Sequence, residues 1–216
     1  MLSFKEFITE SHIHPKNGEY GETIYIKNPS IPSPIDHWHD SNKHATVTPN
    51  GQIPQELNGV KFESWENSPK NKEEWNSVEG QGEFEEPPLD NPNNKRIATG
   101  AIIHEKDGRV WTLSPTNGFG GYDTTIGPKG KLDSGLNYRA NAIKEAHEET
   151  GLKIELLGHA HDSNRSTSLT RYYHARRVGG TPSEMGWESQ AVHLVPKEKL
   201  KDHLNSPLDK EIAEKL

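Results

Sequence analysis

Residues 130–152 read GKLDSGLNYRANAIKEAHEETGL, and the fold is decided there. From about 137 to 150 the stretch predicts a helix, with Gly151 where a left-handed C-terminal cap belongs. At about 100° per residue, Leu136, Ala140, Ile143 and His147 fall along one face and Glu145, Glu148 and Glu149 along the opposite one. Like charges three and four residues apart repel by roughly 0.2–0.5 kcal/mol per pair. They also crowd the last turn, where the helix dipole favours cations. A hard divalent cation held by carboxylate oxygens removes both penalties. A solvated acidic face is the ordinary alternative for such a run.

The flanking residues bear on that choice. The stretch resembles the Nudix box, G-x5-E-x7-R-E-U-x-E-E-x-G-U, in which U is a bulky aliphatic. Gly130, Glu145, Glu148, Glu149, Gly151 and Leu152 match in register, and Ala146 stands at an aliphatic position. Lys144 replaces the Arg and Leu136 the first Glu. In the family these two residues mainly brace the loop against the helix, so their joint replacement reads as one changed brace. Asp133 keeps an acid in the turn, and the cation-binding carboxylates are intact.

Outward from the box, composition divides the chain. Only 30% of its 216 residues are hydrophobic, which implies that a long part of it packs little core. No apolar run approaches the ~20 residues that span a bilayer. Without cysteine, disulfides, thiolate catalysis and Cys-based zinc sites are excluded. The N-terminal residues lack the apolar core of a secretion signal, so a cytoplasmic protein is expected (in the host cytoplasm if phage-encoded). Residues 1–95 hold 8 Lys/Arg against 16 Asp/Glu, a net of −8, whereas 96–216 hold 17 against 16, a net of +1. The second part carries the acidic cluster yet stays near neutral, so basic groups accompany it, as an anionic substrate beside a cation requires. No basic stripe with interleaved aromatics marks a surface for polymeric nucleic acid, so such a partner is not expected except at a capped end.

Residues 1–95 read as an irregular extension, partly wrapped on the core, and 96–216 as the Nudix-like domain. Within 1–10, Leu2, Phe4, Phe7 and Ile8 share one side of a short amphipathic helix that docks on the rest of the chain. The segment also resembles the N-terminal pieces of proteins from large T4-like tailed phages, some of which are cut after an Ile/Leu-x-Glu triplet such as Ile8-Thr9-Glu10. Prolines punctuate residues 11–95, and Asn58-Gly59 marks a tight turn near Phe62 and Trp65, with Trp75 beyond. His37 and His39, with His44 nearby, invite a metal reading if the segment is extended, although histidines of a polar loop are ordinarily just solvated.

From residue 96 the pattern tightens. Residues 97–104 and 109–113 predict a hairpin, 114–122 a Gly-rich loop, and 123–126 a short strand. Further strands are expected at 154–161, 169–178 and 191–195, and helices at 197–203 and 207–216. Strands between helices fit the α/β/α sandwich with a mixed sheet that the resemblance implies over residues 96–204. The run FGGY, PKG, TSLTRYY and MGWES resembles a bacterial and phage subgroup of the family.

Family members hydrolyse a nucleoside diphosphate linked to another group, usually with Mg²⁺, with Mn²⁺ able to replace it. By that pattern Glu145, Glu148 and Glu149 are the metal ligands, joined by a carbonyl at Lys129 or Gly130. The general base is one of the box glutamates, Glu145 or Glu148, or else Glu188 in the loop before the last strand. Lys129, Lys131, Arg139, Arg165 and Arg171 are candidates for the phosphates. On the strand over 169–178, Arg171, Tyr173 and Arg177 alternate with Thr170, Tyr172, His174 and Arg176. Whichever side faces the cleft brings Tyr172 or Tyr173 to stack on a base. The expected function is a Mg²⁺-dependent pyrophosphohydrolase cleaving a diphosphate or polyphosphate bridge in a small-molecule nucleotide. The alternatives are a catalytically silent nucleotide-binding module, which Leu136 keeps open, and a phage-packaged protein. Many family members are homodimers, and nothing in the sequence marks an interface.

Overall fold

Strand pairing starts from the apolar segments of the second half. In the computed structural model, which describes residues 13–118 and 124–216, β4 (Arg96–His104) and β5 (Arg109–Pro115) form the hairpin that the sequence predicts. The helix 1–10 with its Ile-Thr-Glu triplet and the FGGY segment at 119–122 lie outside the described residues. To the hairpin are added β1 (Ala45–Val47), β6 (Lys129–Lys131), β7 (Leu152–Asn164), β8 (Ser168–Gly180) and β9 (Ser189–Pro196). The order is β1-β9-β5-β4-β8-β7, with β6 against β4. The β4–β8 pairing is parallel and the others antiparallel, so the sheet is mixed.

Period-two alternation then sorts side chains onto two faces. Ala101, Ile103, Trp111, Tyr173 and Leu194 enter one core under the helix α2 (Tyr138–Thr150). Ile102, Val110, Tyr172 and Val195 enter the other. Leu200 of α3 (Leu200–His203) and Ile212 of α4 (Pro207–Ala213) cover that second face. The result is the expected α/β/α sandwich.

Three local expectations change. β7 and β8 run 13 residues each, longer than their apolar segments, because three register shifts let the polar run 158–164 keep pairing. The segment 197–203 begins as a 3-10 turn before α3. In place of a strand at 123–126 there is a single bridge, Leu113 to Thr125, with Asp123 outside the described residues.

Residues 13–95 form short pieces: a 3-10 turn (Ile35–His39), β1, a hairpin of β2 (Glu56–Leu57) and β3 (Val60–Lys61), and the helix α1 (Lys72–Asn76). Asn58 and Gly59 turn the hairpin, both at positive φ (52° and 77°), as two-residue loops favour. Trp38 is 0% exposed, with its ring centroid 6.0 Å from those of Phe62 and Trp111. On the 3-10 turn His37 and His39 join no metal-ligating group among the described residues. His37 Nδ1 instead lies 3.0 Å from the carbonyl of His44.

Buried arginines hold these pieces. Arg109 donates to the carbonyls of His37 (3.0 Å) and Trp38 (2.5 Å), and Arg177 to that of Leu57 (2.8 Å). Arg139 and Arg171 meet Glu86 at 2.9 and 3.0 Å. Irregular backbone needs donors from elsewhere, and a buried guanidinium needs acceptors, so each group satisfies the other.

Trp38→Ala should therefore lower stability by about 3–5 kcal/mol, read as a shift of the urea midpoint. An unchanged midpoint would mean that the extension adds nothing to the stability of the domain.

Candidate active site

Helix α2 is fixed at both ends by its own sequence. The side chain of Asn137 accepts from the amide of Ala140 at 2.9 Å. At the other end Gly151 adopts φ 71° and donates to the carbonyl of His147 at 2.8 Å. Between them the helix leans on β6 and its loop. Asn141, fully buried, accepts from the amide of Asp133 at 3.0 Å and donates to Thr99 Oγ1 at 2.9 Å. Lys144 Nζ lies 3.1 Å from Asp133 and 2.6 Å from Glu148. Leu136 is buried in the core. The altered brace is thus an Asp133–Lys144 ion pair with Asn141 behind it. Asn141 was legible only as a polar residue between two alanines.

The three box carboxylates meet different surroundings. Glu145 is 8% exposed and Glu149 is 9% exposed, which a solvated acidic face would not be, whereas about half of the Glu148 side chain is open. Glu145 lies against Gly130, where an added Cβ would stand 2.1 Å from its Oε2. Only glycine admits that approach. Glu149 Oε2 accepts the amide of Lys129 at 2.9 Å. Burial, and then the charge of Glu149, push Glu145 up to about 9. Burial raises Glu149 to about 7 against the pull of Lys129. Glu188 is raised as well, first by partial burial and then by Glu148. Among the described residues the three box carboxylates do not converge as a trio to within 4.8 Å. Glu148 is turned toward Lys144.

A divalent cation, as the box implies, fits these residues. The donors are hard oxygens, the missing Cβ of Gly130 lets Glu145 reach the loop, and two buried carboxylates side by side need positive charge. Glu145, Glu148 and Glu149 would hold it.

Two clefts meet at this point. One, of about 880 Å³, is lined by the box glutamates, Glu188 and Trp187, with Lys16 and Trp65 of the extension opposite. The other, of about 750 Å³, is lined by Arg96, Lys129, Arg165, Ser166 and Thr167 among others. Gly130, Lys131, Glu149 and Glu188 line both. Lys129, Lys131, Arg165 and Glu188 are therefore brought together with the box.

Four expected substrate residues are placed elsewhere. Arg139 and Arg171 line neither cleft and are held by Glu86, with Arg171 also bidentate on Asp162 at 2.8 and 2.7 Å. Tyr172 and Tyr173 are both fully buried, because helices or extension cover each face of the sheet. Tyr173 donates to Glu86 at 2.8 Å and Tyr172 accepts from Arg165 at 3.1 Å, so neither ring is free to stack on a base. Lys16, Trp65 and Arg96 took no part in the site read from the sequence. Nothing local singles out Lys16 or Arg96, and Trp65 stood out only as a docking aromatic.

Glu145 in the folded chain stands at about 9, above its ordinary 4.5, so over that window the folded state keeps a proton that the unfolded state has lost. Stability of the metal-free chain should fall as pH rises through the window, by up to about 1.4 kcal/mol per pH unit for one proton. Glu145→Gln should flatten the slope and raise the urea midpoint at alkaline pH. A wild-type midpoint independent of pH would show that the carboxylate is not buried in the charged form.

The model of the NUDIX domain matches residues 94–216. Among solved structures, an ADP-ribose pyrophosphatase from Streptococcus suis is 21% identical with a TM-score of 0.46, the match covering 57% of this chain and 87% of that one. An Ap4A hydrolase from C. elegans is 18% identical with a TM-score of 0.45, covering 56% and 93%. A NUDIX hydrolase from Nitrosomonas europaea is 16% identical with a TM-score of 0.47, covering 56% and 69%. No curated protein matches. With a family model spanning more than half its length, and with Glu149 of the box lining both clefts, the chain belongs to the NUDIX domain family.

Proposed function

We propose that the chain is a Mg²⁺-dependent pyrophosphohydrolase that cleaves a diphosphate or polyphosphate bridge in a nucleotide derivative by attack of water. One observation carries this reading: the cleft lined by the box carboxylates and the cleft lined by Arg96, Lys129 and Arg165 share Glu149 and Lys131. A diphosphate resists attack until its oxygens are neutralised and water is held in line. Bound Mg²⁺ supplies the Lewis acid and lowers the pKa of a bound water. Glu145, Glu148 and Glu149 hold it, while Lys129, Lys131, Arg96 and Arg165 take the phosphate charge on the side of the second cleft. Ile97, Leu113 and Pro115 give that cleft an apolar wall for the nucleoside.

Glu188 takes the proton of the attacking water in this scheme. It lines both clefts, and partial burial raises its pKa above the ordinary carboxylate value, which makes it a stronger base. Glu145, deeper and harder to ionise, is left to the metal. Residues 96–216 are the catalytic domain, and residues 1–95 an extension whose Lys16 and Trp65 narrow the approach to the carboxylates.

The test is turnover of a panel with Mg²⁺: ADP-ribose, NADH, dinucleoside polyphosphates, capped RNA and nucleoside triphosphates. At least one should be cleaved, with kcat about 10²–10⁴-fold lower in Glu188→Gln and turnover abolished in Glu148→Gln. No metal-dependent turnover of any of them, or full activity in Glu148→Gln, would sink the enzyme reading in favour of a binding module. Wild-type rates in Glu188→Gln would move the base to the box.

A further inference from the structure

A second group of metal-type side chains lies away from the box. His44 precedes β1, His193 lies on β9 and His203 ends α3. Their ligand nitrogens all lie within 4.8 Å of one another. Thr46, His193 and Thr112 stand in register across β1, β9 and β5. Because Val192 and Leu194 face the core under α2, His193 faces the opposite side, where α3 covers it.

We propose that His44, His193 and His203 bind one divalent transition-metal ion of the Zn²⁺ class, which staples the N-terminal extension to the sheet and to α3.

The geometry supports this at three points. The rings meet edge to face, with centroids 5.2, 4.7 and 5.0 Å apart, so no ring stacks flat on another. The hydroxyl of Thr46 lies 2.9 Å from His193 Nδ1 and 3.3 Å from His44 Nε2, so these two nitrogens converge on one point, where an ion would replace that hydroxyl as their partner. The hydroxyls of Ser114, on His193 Nε2, and Thr112, on His203 Nε2, each sit at 2.9 Å and fix the rings. Supporting hydrogen bonds of this kind orient metal-bound histidines. A Zn–N bond of about 2.0–2.1 Å puts tetrahedral nitrogens about 3.3 Å apart. The rings need only close by about 1.5 Å or less from their present spacing.

The chemistry separates this ion from that of the box. His193 is buried and His44 and His203 are half-buried, and an imidazole ligates in its neutral form. An all-nitrogen donor set selects Zn²⁺, Co²⁺ or Ni²⁺ over Mg²⁺. Lys199, beside His44, donates from its ammonium to the carbonyl of Asn42 at 2.5 Å. The ordinary alternative is a polar cluster satisfied by hydroxyls, and metal titration distinguishes the two.

The experiment uses the full chain, stripped with a chelator and held in excess Mg²⁺ to fill the oxygen site. Co²⁺ is then titrated, followed by its visible d–d bands, metal stoichiometry and thermal midpoint. One Co²⁺ per chain with the intense bands of a tetrahedral nitrogen site and a raised midpoint is expected, displaced by Zn²⁺ and unchanged in Glu148→Gln. His44→Gln and His203→Gln alter half-buried rings that are less central than His193. Each should weaken binding by more than the 10–100-fold that loss of a supporting partner brings. The proposal fails if wild type binds no Co²⁺ under excess Mg²⁺, or if His44→Gln binds as tightly as wild type. It also fails if binding disappears in Glu148→Gln, since the ion would then sit in the box.

Discussion

Two carboxylates buried side by side at the C-terminal end of a helix are the constraint on which this structure turns. Glu145 and Glu149 stand one turn apart where the dipole of α2 is already negative, and both are withdrawn from water. Charged, they repel each other and forgo hydration; protonated, they give up the chemistry that carboxylates supply. The surrounding structure offers only partial relief. Glu149 has the amide of Lys129, and Lys144 is divided between Asp133 and Glu148. Strand β6 comes so close to Glu145 at Gly130 that a Cβ there would displace the carboxylate. A site left this short of positive charge is built to receive it.

The same economy of partners governs the extension. Its composition cannot supply a core, yet its pieces are fixed on the domain. Trp38 and Trp75 contribute apolar area, but direction comes from Arg109 and Arg177, which reach carbonyls of the 3-10 turn and of the β2–β3 hairpin. Glu86 extends the arrangement in reverse, as an extension carboxylate held by Arg139, Arg171 and the hydroxyl of Tyr173. Arg139 and Arg171, which sequence alone assigns to a substrate, are thus committed to the fold. In the proposed reading the phosphate charge is left to Lys129, Lys131, Arg96 and Arg165, which line the cleft itself, with Arg165 also paired to Asp209.

What could be read from the sequence follows the range of the forces involved. The helix was legible because its determinants are local: Gly151 past its end, an apolar stripe along it, and a motif in register. The hairpin of β4 and β5 was legible for the same reason. β7 and β8 outran their apolar segments because bulges preserve pairing without preserving alternation. Tyr172 and Tyr173 were misjudged because alternation tells which face a residue takes but not whether that face is covered. Asn141 and Lys16 act through partners remote in sequence, Thr99 in one case and the cleft wall in the other. No spacing rule reveals such pairs.

The histidines show the same limit from the other side. His44 belongs in sequence with His37 and His39, yet the 3-10 turn separates them and the β1–β9 pairing carries His44 to His193. Topology thereby sorts the ligating groups of the chain by hardness. Carboxylates gather on α2 on one face of the sheet, and imidazoles gather beneath α3 on the other. Mg²⁺ prefers the first donor set and Zn²⁺-class ions the second. Imidazoles hold Mg²⁺ poorly, so when Mg²⁺ is in excess at the carboxylates a Zn²⁺-class ion is directed to the histidines. The sheet between them, anchored at one edge by β1, is the element to which both sites are attached.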